Sequence, residues 1–402
     1  MKRILIFSLA YPRIENFGGA EVAIKEITDR IPNVEFHMVT NRFDSLLPKV
    51  EKVGNITVHR IGIVLRNPSM SDLKQFPLDL NKPLFQFLAF FKAIPLQHHY
   101  SFDGVWAMMA HSTGVPSALF KMLYPRIPYV LTLQEGDPLP YIEKRMMLVW
   151  PLFVRAFRTA NVIQSISTYL DTWARSLGAR GKLIIVPNAT DTKLFFQRPS
   201  PGELQAALDS MRMQRSAVVM ISTSRLVHKN ALDDVIRALP LLDTQIHFVN
   251  LGFGPDKEQL EKLATSLGVG SRVHLLPHPG ISKLSAYLHA SSLFVRPSRT
   301  EGFGVSFVEA MAAGLPVIAT QEGGIADFLF DAKRNPNKPT TGWAVDKDSP
   351  EQIVAAVRDI LAHPEQVQRV TETAKSLVLS KYDWDLIAKD MQTKVFDVVL
   401  KK

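Results

Sequence analysis

Residues able to do chemistry concentrate in one segment, Arg299-Thr300-Glu301-Gly302-Phe303-Gly304-Val305-Ser306-Phe307-Val308-Glu309, which runs on through Gly314 and Pro316 to Thr320. It reads as loop, helix, cap and strand. Gly302 and Gly304 permit unusual backbone angles and close ligand approach, Val305 to Ala313 keeps a helical pattern, Gly314 suits the C-cap and Pro316 bars continuation. Unpaired N–H groups at such a helix start, near Phe303 to Ser306, together with the helix dipole, could receive a phosphate. Glu301 precedes the glycine loop, whereas Glu309 sits more than one turn into the helix, so the two carboxylates occupy different places. Carboxylates accept hydrogen bonds from paired hydroxyls. One acid for a sugar and another for a ribose would suit a nucleotide-sugar ligand.

Upstream, Ser222-Thr223-Ser224-Arg225-Leu226-Val227-His228-Lys229-Asn230 leaves a strand, turns and enters the helical pattern Ala231 to Leu239. A departing nucleoside diphosphate gathers negative charge, and without a metal it needs fixed cations preorganised in a dry cleft. Arg225 and Lys229 fit that task. Near the start of the chain, Asn16-Phe17-Gly18-Gly19-Ala20-Glu21 follows a first strand and precedes a helix, where a glycine turn brings backbone amides against phosphate or acceptor.

The spacing Glu301-x7-Glu309 followed by Ala310-Met-Ala-Ala-Gly-Leu-Pro-Val resembles the signature of the retaining glycosyltransferases of family 4, with the GT-B fold. The Arg225-Leu-Val…Lys229 segment is similar to that family's Arg-Leu-Val…Lys-Gly element, one residue tighter and with Asn230 at the glycine. Gly18-Gly19-Ala20-Glu21 matches its Gly-Gly-Ala-Glu loop, and Pro187-Asn188-Ala189-Thr190-Asp191 its Pro-Asn-Gly-Val-Asp turn. The resemblance implies that Glu301 contacts donor-sugar hydroxyls, that Glu309 holds the ribose, and that backbone around Phe303, Gly304 and Val305 meets the pyrophosphate. It further implies that Gly19 approaches the donor across an interdomain cleft. Asn188 and Asp191 are expected to be turn hydrogen-bonders.

One departure bears on the proton path. Tyr129-Val-Leu-Thr-Leu-Gln134-Glu135-Gly136-Asp137 resembles the strand end where many family members carry a pocket histidine, and Gln134 stands there instead. Glutamine can bond a sugar hydroxyl but does not titrate near neutrality. Glu135, Asp137 or His111 are the candidates for activating the acceptor.

The elements that must position these residues recur as short apolar runs separated by helix-length segments, the pattern of parallel sheets built from β-α-β units. The expected fold class is therefore α/β: two doubly wound Rossmann-like domains, which the resemblance sets facing across a cleft. The expected boundaries are an acceptor-side domain over residues 1–200, a nucleotide-sugar-binding domain over 201–381, and a C-terminal helix over 382–402 packing back on the first domain. The polar, turn-rich stretch Phe196 to Met213 is the expected hinge. In the last helix Trp384, Ile387, Met391, Val395 and Val398 fall at helical spacing. Asn81 to Ile94, with Phe85, Phe87, Phe90 and Phe91 near Lys92, reads as a core-facing helix, with a helix lying in lipid headgroups as the alternative.

At 402 residues, 46% hydrophobic and 21% charged, the composition is globular and too long for one ordinary core. With no cysteine, disulfide frameworks, thiolate nucleophiles and Cys-ligated zinc are excluded. Lys2-Arg3 followed by Ile4 to Ala10 is too short for a signal peptide and reads as a buried strand. No run reaches the roughly 20 apolar residues that span a bilayer. The formal charge of +9 lies mainly in the N-terminal half, which suggests peripheral contact with an anionic membrane surface or an anionic acceptor. No nucleic acid partner is expected. Gly252-Phe-Gly254-Pro255 lacks the remainder of a dinucleotide fingerprint, and neither His-Glu-x-x-His nor Gly-x-Ser-x-Gly occurs.

The resemblance implies a retaining transferase, and the paired cations Arg225 and Lys229 imply one that is metal-independent. It would move a hexosyl group from a UDP-, GDP- or ADP-sugar to a glycan or lipid-linked acceptor, with no cofactor, in the cytoplasm or at the inner face of the membrane. The alternatives are an inactive nucleotide-sugar-binding scaffold and a nucleotide-sugar epimerase of related architecture.

Overall fold

The computed structural model describes residues 1–11, 19–69, 71–214 and 216–400. The Asn16-Phe17-Gly18 part of the glycine turn lies outside them. The chain divides into two compact units, Met1–Asn188 with Trp384–Lys402, and Ala189–Asp383.

In the first unit the strands are β1 (Lys2–Phe7), β2 (Val34–Asn41), β3 (Val50–Val53), β4 (Ile56–Ile61), β5 (Gly104–Met108), β6 (Tyr129–Leu133), β7 (Val162–Ser165) and β8 (Lys182–Ile185). They form one sheet in the order β3-β4-β2-β1-β5-β6-β7-β8, parallel except for the β3/β4 pair. The central strands are buried along nearly their whole length, as helices on both faces require. Chain order reverses between β1 and β5, so the helices that follow those two strands, Gly19–Asp29 and Ala110–Leu123 with His111 in its first turn, start at the sheet's switch point.

The C-terminal segment belongs to this unit. Phe396 sets its ring 5.1 Å from Trp106 and 6.1 Å from Phe36. The expected apolar stripe is correct as far as Val395, but Val398 is exposed and Phe396 is buried instead. A π-helical turn over Met391–Phe396 explains the change: the extra residue per turn rotates everything after it around the axis.

The helix Asn81–Tyr100 buries Phe85, Ala89, Ala93 and Leu96 on one side, the core-facing arrangement. Its opposite side leaves Leu84, Phe87, Leu88 and Phe91 exposed.

The second unit has β9 (Val218–Thr223), β10 (Ile246–Leu251), β11 (Val273–Leu276), β12 (Leu293–Arg296), β13 (Val317–Ala319) and β14 (Trp343–Ala344), all parallel, in the order β11-β10-β9-β12-β13-β14. Here the switch point falls between β9 and β12. The stretch expected as a hinge contains the helix Pro201–Met211, begun by a reciprocal capping box between Ser200 and Glu203 with Pro201 in the first turn. That Ser-x-x-Glu signature is legible in the sequence, but the flanking prolines and glycine mask it.

Candidate functional site: the switch point between β9 and β12

Arg225 and Lys229 follow β9, and Glu301 follows β12, so neighbouring parallel strands deliver both groups to the place where ligands enter such sheets. The loop after β9 is held from three sides. Leu226 donates its N–H to the Phe253 carbonyl and accepts from the Asp256 N–H. Gly254 lies so close that a Cβ there would stand 2.1 Å from the Leu226 oxygen. The weak Gly-x-Gly therefore braces the cation loop. Buried Asn230 donates its side-chain amide to the Arg225 carbonyl at 2.7 Å, closing the turn. Ala231 next to it takes a left-handed backbone, φ +54°. Arg225 is exposed and Lys229 half-buried.

Arg299 ties the two loops together. Its N–H donates to the Lys229 carbonyl at 2.8 Å, and its guanidinium donates to the His228 carbonyl, to both oxygens of Asp233, to Asp234 and to Asp348. Burial lowers its basicity, but hydrogen bonding with Asp233 and Asp348 more than offsets this and raises it overall. Burial and the charge of Asp233 push the Asp234 carboxyl up to about 6.

Glu301 is held by groups on both its backbone and its carboxylate. Its Oε2 accepts a hydrogen bond from Arg296 Nη2 at 2.8 Å and its Oε1 accepts from the Gly302 N–H at 3.1 Å. Its carbonyl accepts from the Gly324 N–H. Gly304, at φ +92°, is the N-cap of the helix Val305–Ala312, in a conformation that glycine adopts without strain. The Phe303 side chain is 1% exposed and packs on Phe328 and Tyr382, so only its backbone is available to a ligand. Glu309 lies just over one turn into that helix; burial pushes its carboxyl up to about 7, against the pull of Arg296.

Arg296 is the member of this site that the motif alone does not reveal. It ends a buried apolar strand, and only the fold turns its guanidinium under the glutamate loop. Its sequence signal is one basic residue directly after Leu293-Phe294-Val295.

In the first unit, Gln134 and Asn188 pair their side-chain amides, at 3.0 Å from Gln134 Nε2 to Asn188 Oδ1. Asp191, in the second unit, caps the short helix Thr192–Phe196 through the Leu194 N–H. Glu135 is 1% exposed; its Oε1 stands 3.4 Å from both the backbone N and Nδ1 of His111, and its Oε2 has no partner among the described residues. The sheet thus brings Glu135 and His111 together. Asp137 is half-buried beyond them, and Gly19 opens the helix Gly19–Asp29. In the C-terminal half, Asp346 pairs with Arg334, Asp348 with Arg299 and Asp385 with Arg30, and Asp383 accepts from Thr192.

Residues 212–377 match the family described as Glycosyl transferases group 1. Over 406 aligned residues the chain is 30% identical to an uncharacterized glycosyltransferase of Methanocaldococcus jannaschii, covering 94% of each. It is also 30% identical to a GDP-mannose-dependent alpha-(1-6)-phosphatidylinositol monomannoside mannosyltransferase of Mycolicibacterium smegmatis, over 56% of this chain and 59% of that protein. The match thus spans about three fifths of that relative's length. HepE of Anabaena, solved in complex with UDP and glucose, superposes with a TM-score of 0.76 at 19% identity, covering 99% of this chain and 100% of that one. The switch-point site, the family match and the end-to-end relative lead to one conclusion: the chain belongs to the group 1 glycosyltransferases and has the GT-B fold.

Proposed function

We propose that this protein transfers a hexosyl group from a UDP-, GDP- or ADP-sugar to a glycan or lipid-linked acceptor, with retention of configuration and without a metal. The observation that carries the reading is the Glu301 carboxylate, pinned at the switch point beside a braced loop bearing Arg225 and Lys229. In this reading Glu301 accepts hydrogen bonds from the donor-sugar hydroxyls and Glu309 from the ribose. The Phe303 to Val305 backbone meets the diphosphate. As the glycosidic bond breaks, negative charge grows on the leaving diphosphate, and Arg225 and Lys229 stabilise it without reorganising. The acceptor attacks from the same face, and its proton passes to the leaving phosphate. Gly19, Gln134, Glu135, Asp137 and His111 contact substrate on the acceptor side.

Lipid linkage of the acceptor has its own support. The exposed stripe Leu84, Phe87, Leu88 and Phe91 lies on a helix without a single acid, and the charges of Arg145 and Lys74 reach Lys82 at its start. An apolar stripe beside clustered cations suits peripheral contact with an anionic bilayer at the cytoplasmic face. Among the described residues no helix is long and apolar enough to cross a membrane. The mannosyltransferase relative takes a phosphatidylinositol glycoside by its name, and the HepE structure holds UDP.

A thermal-shift screen of UDP-glucose, GDP-mannose and ADP-glucose identifies the donor. Turnover with that donor is expected to fall at least a hundredfold in Glu301→Gln with the fold intact, and unchanged turnover refutes the role. Donor consumption without any acceptor would instead indicate an epimerase, and donor binding without turnover a scaffold. For the membrane, the protein should float with vesicles of phosphatidylcholine and phosphatidylglycerol but not of phosphatidylcholine alone, and Phe91→Glu should abolish this.

A further inference from the structure

Arg296 is an expensive residue to place at the end of β12. Its side chain is 6% exposed, and a guanidinium out of water must be paired on all sides to offset its desolvation. Three bonds are made: Nη2 to Glu301 Oε2 at 2.8 Å, Nη1 to Ser306 Oγ at 2.8 Å, and Nη1 to the Thr223 carbonyl at 3.3 Å. Its Cζ stands 4.2 Å over the Phe307 ring. Nε, however, is buried with no hydrogen-bond partner among the described residues. A purely architectural position would be filled more cheaply by a leucine or methionine, because a well-packed apolar residue carries neither the desolvation cost nor the orphaned donor. What the guanidinium gains is geometry. It touches the end of β9, the first turn of the helix Val305–Ala312 and the Glu301 carboxylate at once.

We infer that Arg296 is the positioning residue of the donor pocket, fixing the Glu301 carboxylate against the first turn of the helix Val305–Ala312 so that it meets the sugar in one orientation. Arg296 acts through Glu301 and need not touch the donor. With Oε1 on the Gly302 N–H and Oε2 on Nη2, each oxygen of the carboxylate is held by its own donor, which restrains rotation about its last bond. The same charge holds the Glu309 carboxyl down against its burial. This role rests on the proposed donor-binding role of Glu301, and the two can fail separately.

The test is a double-mutant cycle of Arg296→Met and Glu301→Gln, with Arg296→Lys as the conservative variant, in the full chain. Turnover of the donor found by the screen is measured together with thermal melting. Arg296→Met is expected to lower kcat at least thirtyfold in the wild-type background and less than threefold in the Glu301→Gln background, because the second change then removes support from a group already disabled. Arg296→Lys should recover part of the loss. A purely structural arginine would lower both backgrounds by the same factor, and that result overturns the inference while leaving the role of Glu301 intact. A crystal structure of Arg296→Met without ligand decides the matter even if no donor is turned over. The Glu301 carboxylate should leave its present place, and finding it unmoved refutes the positioning role.

Discussion

Glu309 makes the chain's stability depend on pH, and with the ribose-binding role proposed for it, donor binding is expected to respond in the opposite direction. Its carboxyl rises from 4.5 to about 7 because burial penalises the charged form more than Arg296 favours it. The native state therefore holds a proton that the unfolded chain has released between those two values, so stability increases as pH falls through 7 toward 4.5. Integrating over this one group, the protein loses about 2.5 kcal/mol between pH 5 and pH 8. For a unit of this size that corresponds to roughly 5–10 °C in melting temperature. Glu309→Gln removes the group, so the difference in melting temperature between wild type and variant should change by that amount across the interval. The variant should be relatively more stable at pH 8. Donor affinity runs the other way: a ribose is held better by a carboxylate than by a carboxylic acid, and calorimetric binding of the nucleotide should weaken below pH 7 in wild type only. Parallel melting curves for wild type and variant from pH 5 to 8 would refute the reasoning.

Three further outcomes follow from the bracing of the cation loop. Gly254→Ala places a methyl on the Leu226 backbone and should displace Arg225 and Lys229, lowering kcat at least tenfold while the melt falls by only about 1–3 kcal/mol, a core-overpacking cost. Ala231→Gly relieves a left-handed backbone and should stabilise by about 0.5–1 kcal/mol, seen as a raised denaturant midpoint; a lowered midpoint contradicts the strain. Lys229→Ala should cut kcat by about a hundredfold with a smaller change in donor KM, as expected for a group engaged most strongly in the transition state. An effect confined to KM would reassign Lys229 to ground-state binding.

Much of the site is local in the chain and could be read there. The alternation of short apolar runs with helical segments dictates parallel sheets, because strands buried on both faces need continuous apolar sequence and long crossovers. Gly302, Gly304, Gly314 and Pro316 mark where the helix after Glu301 begins and ends, since each residue type restricts its own backbone. Other features depend on residues far apart in sequence, and no spacing rule reaches them. Arg296 acquires a role only because β12 lies beside β9 and points its guanidinium at Glu301. Asn230 closes its turn by reaching back to the Arg225 carbonyl. Gly254 supports a loop that left the sheet from a different strand. Glu135 meets His111 because β5 and β6 are adjacent. The π-helical turn buries Phe396 in place of Val398, against Phe36 and Trp106 from distant parts of the chain. Which residues can do chemistry was determined by their types and near neighbours; which of them hold one another in place was decided by strand order, because hydrogen bonds and burial depend on distance in space.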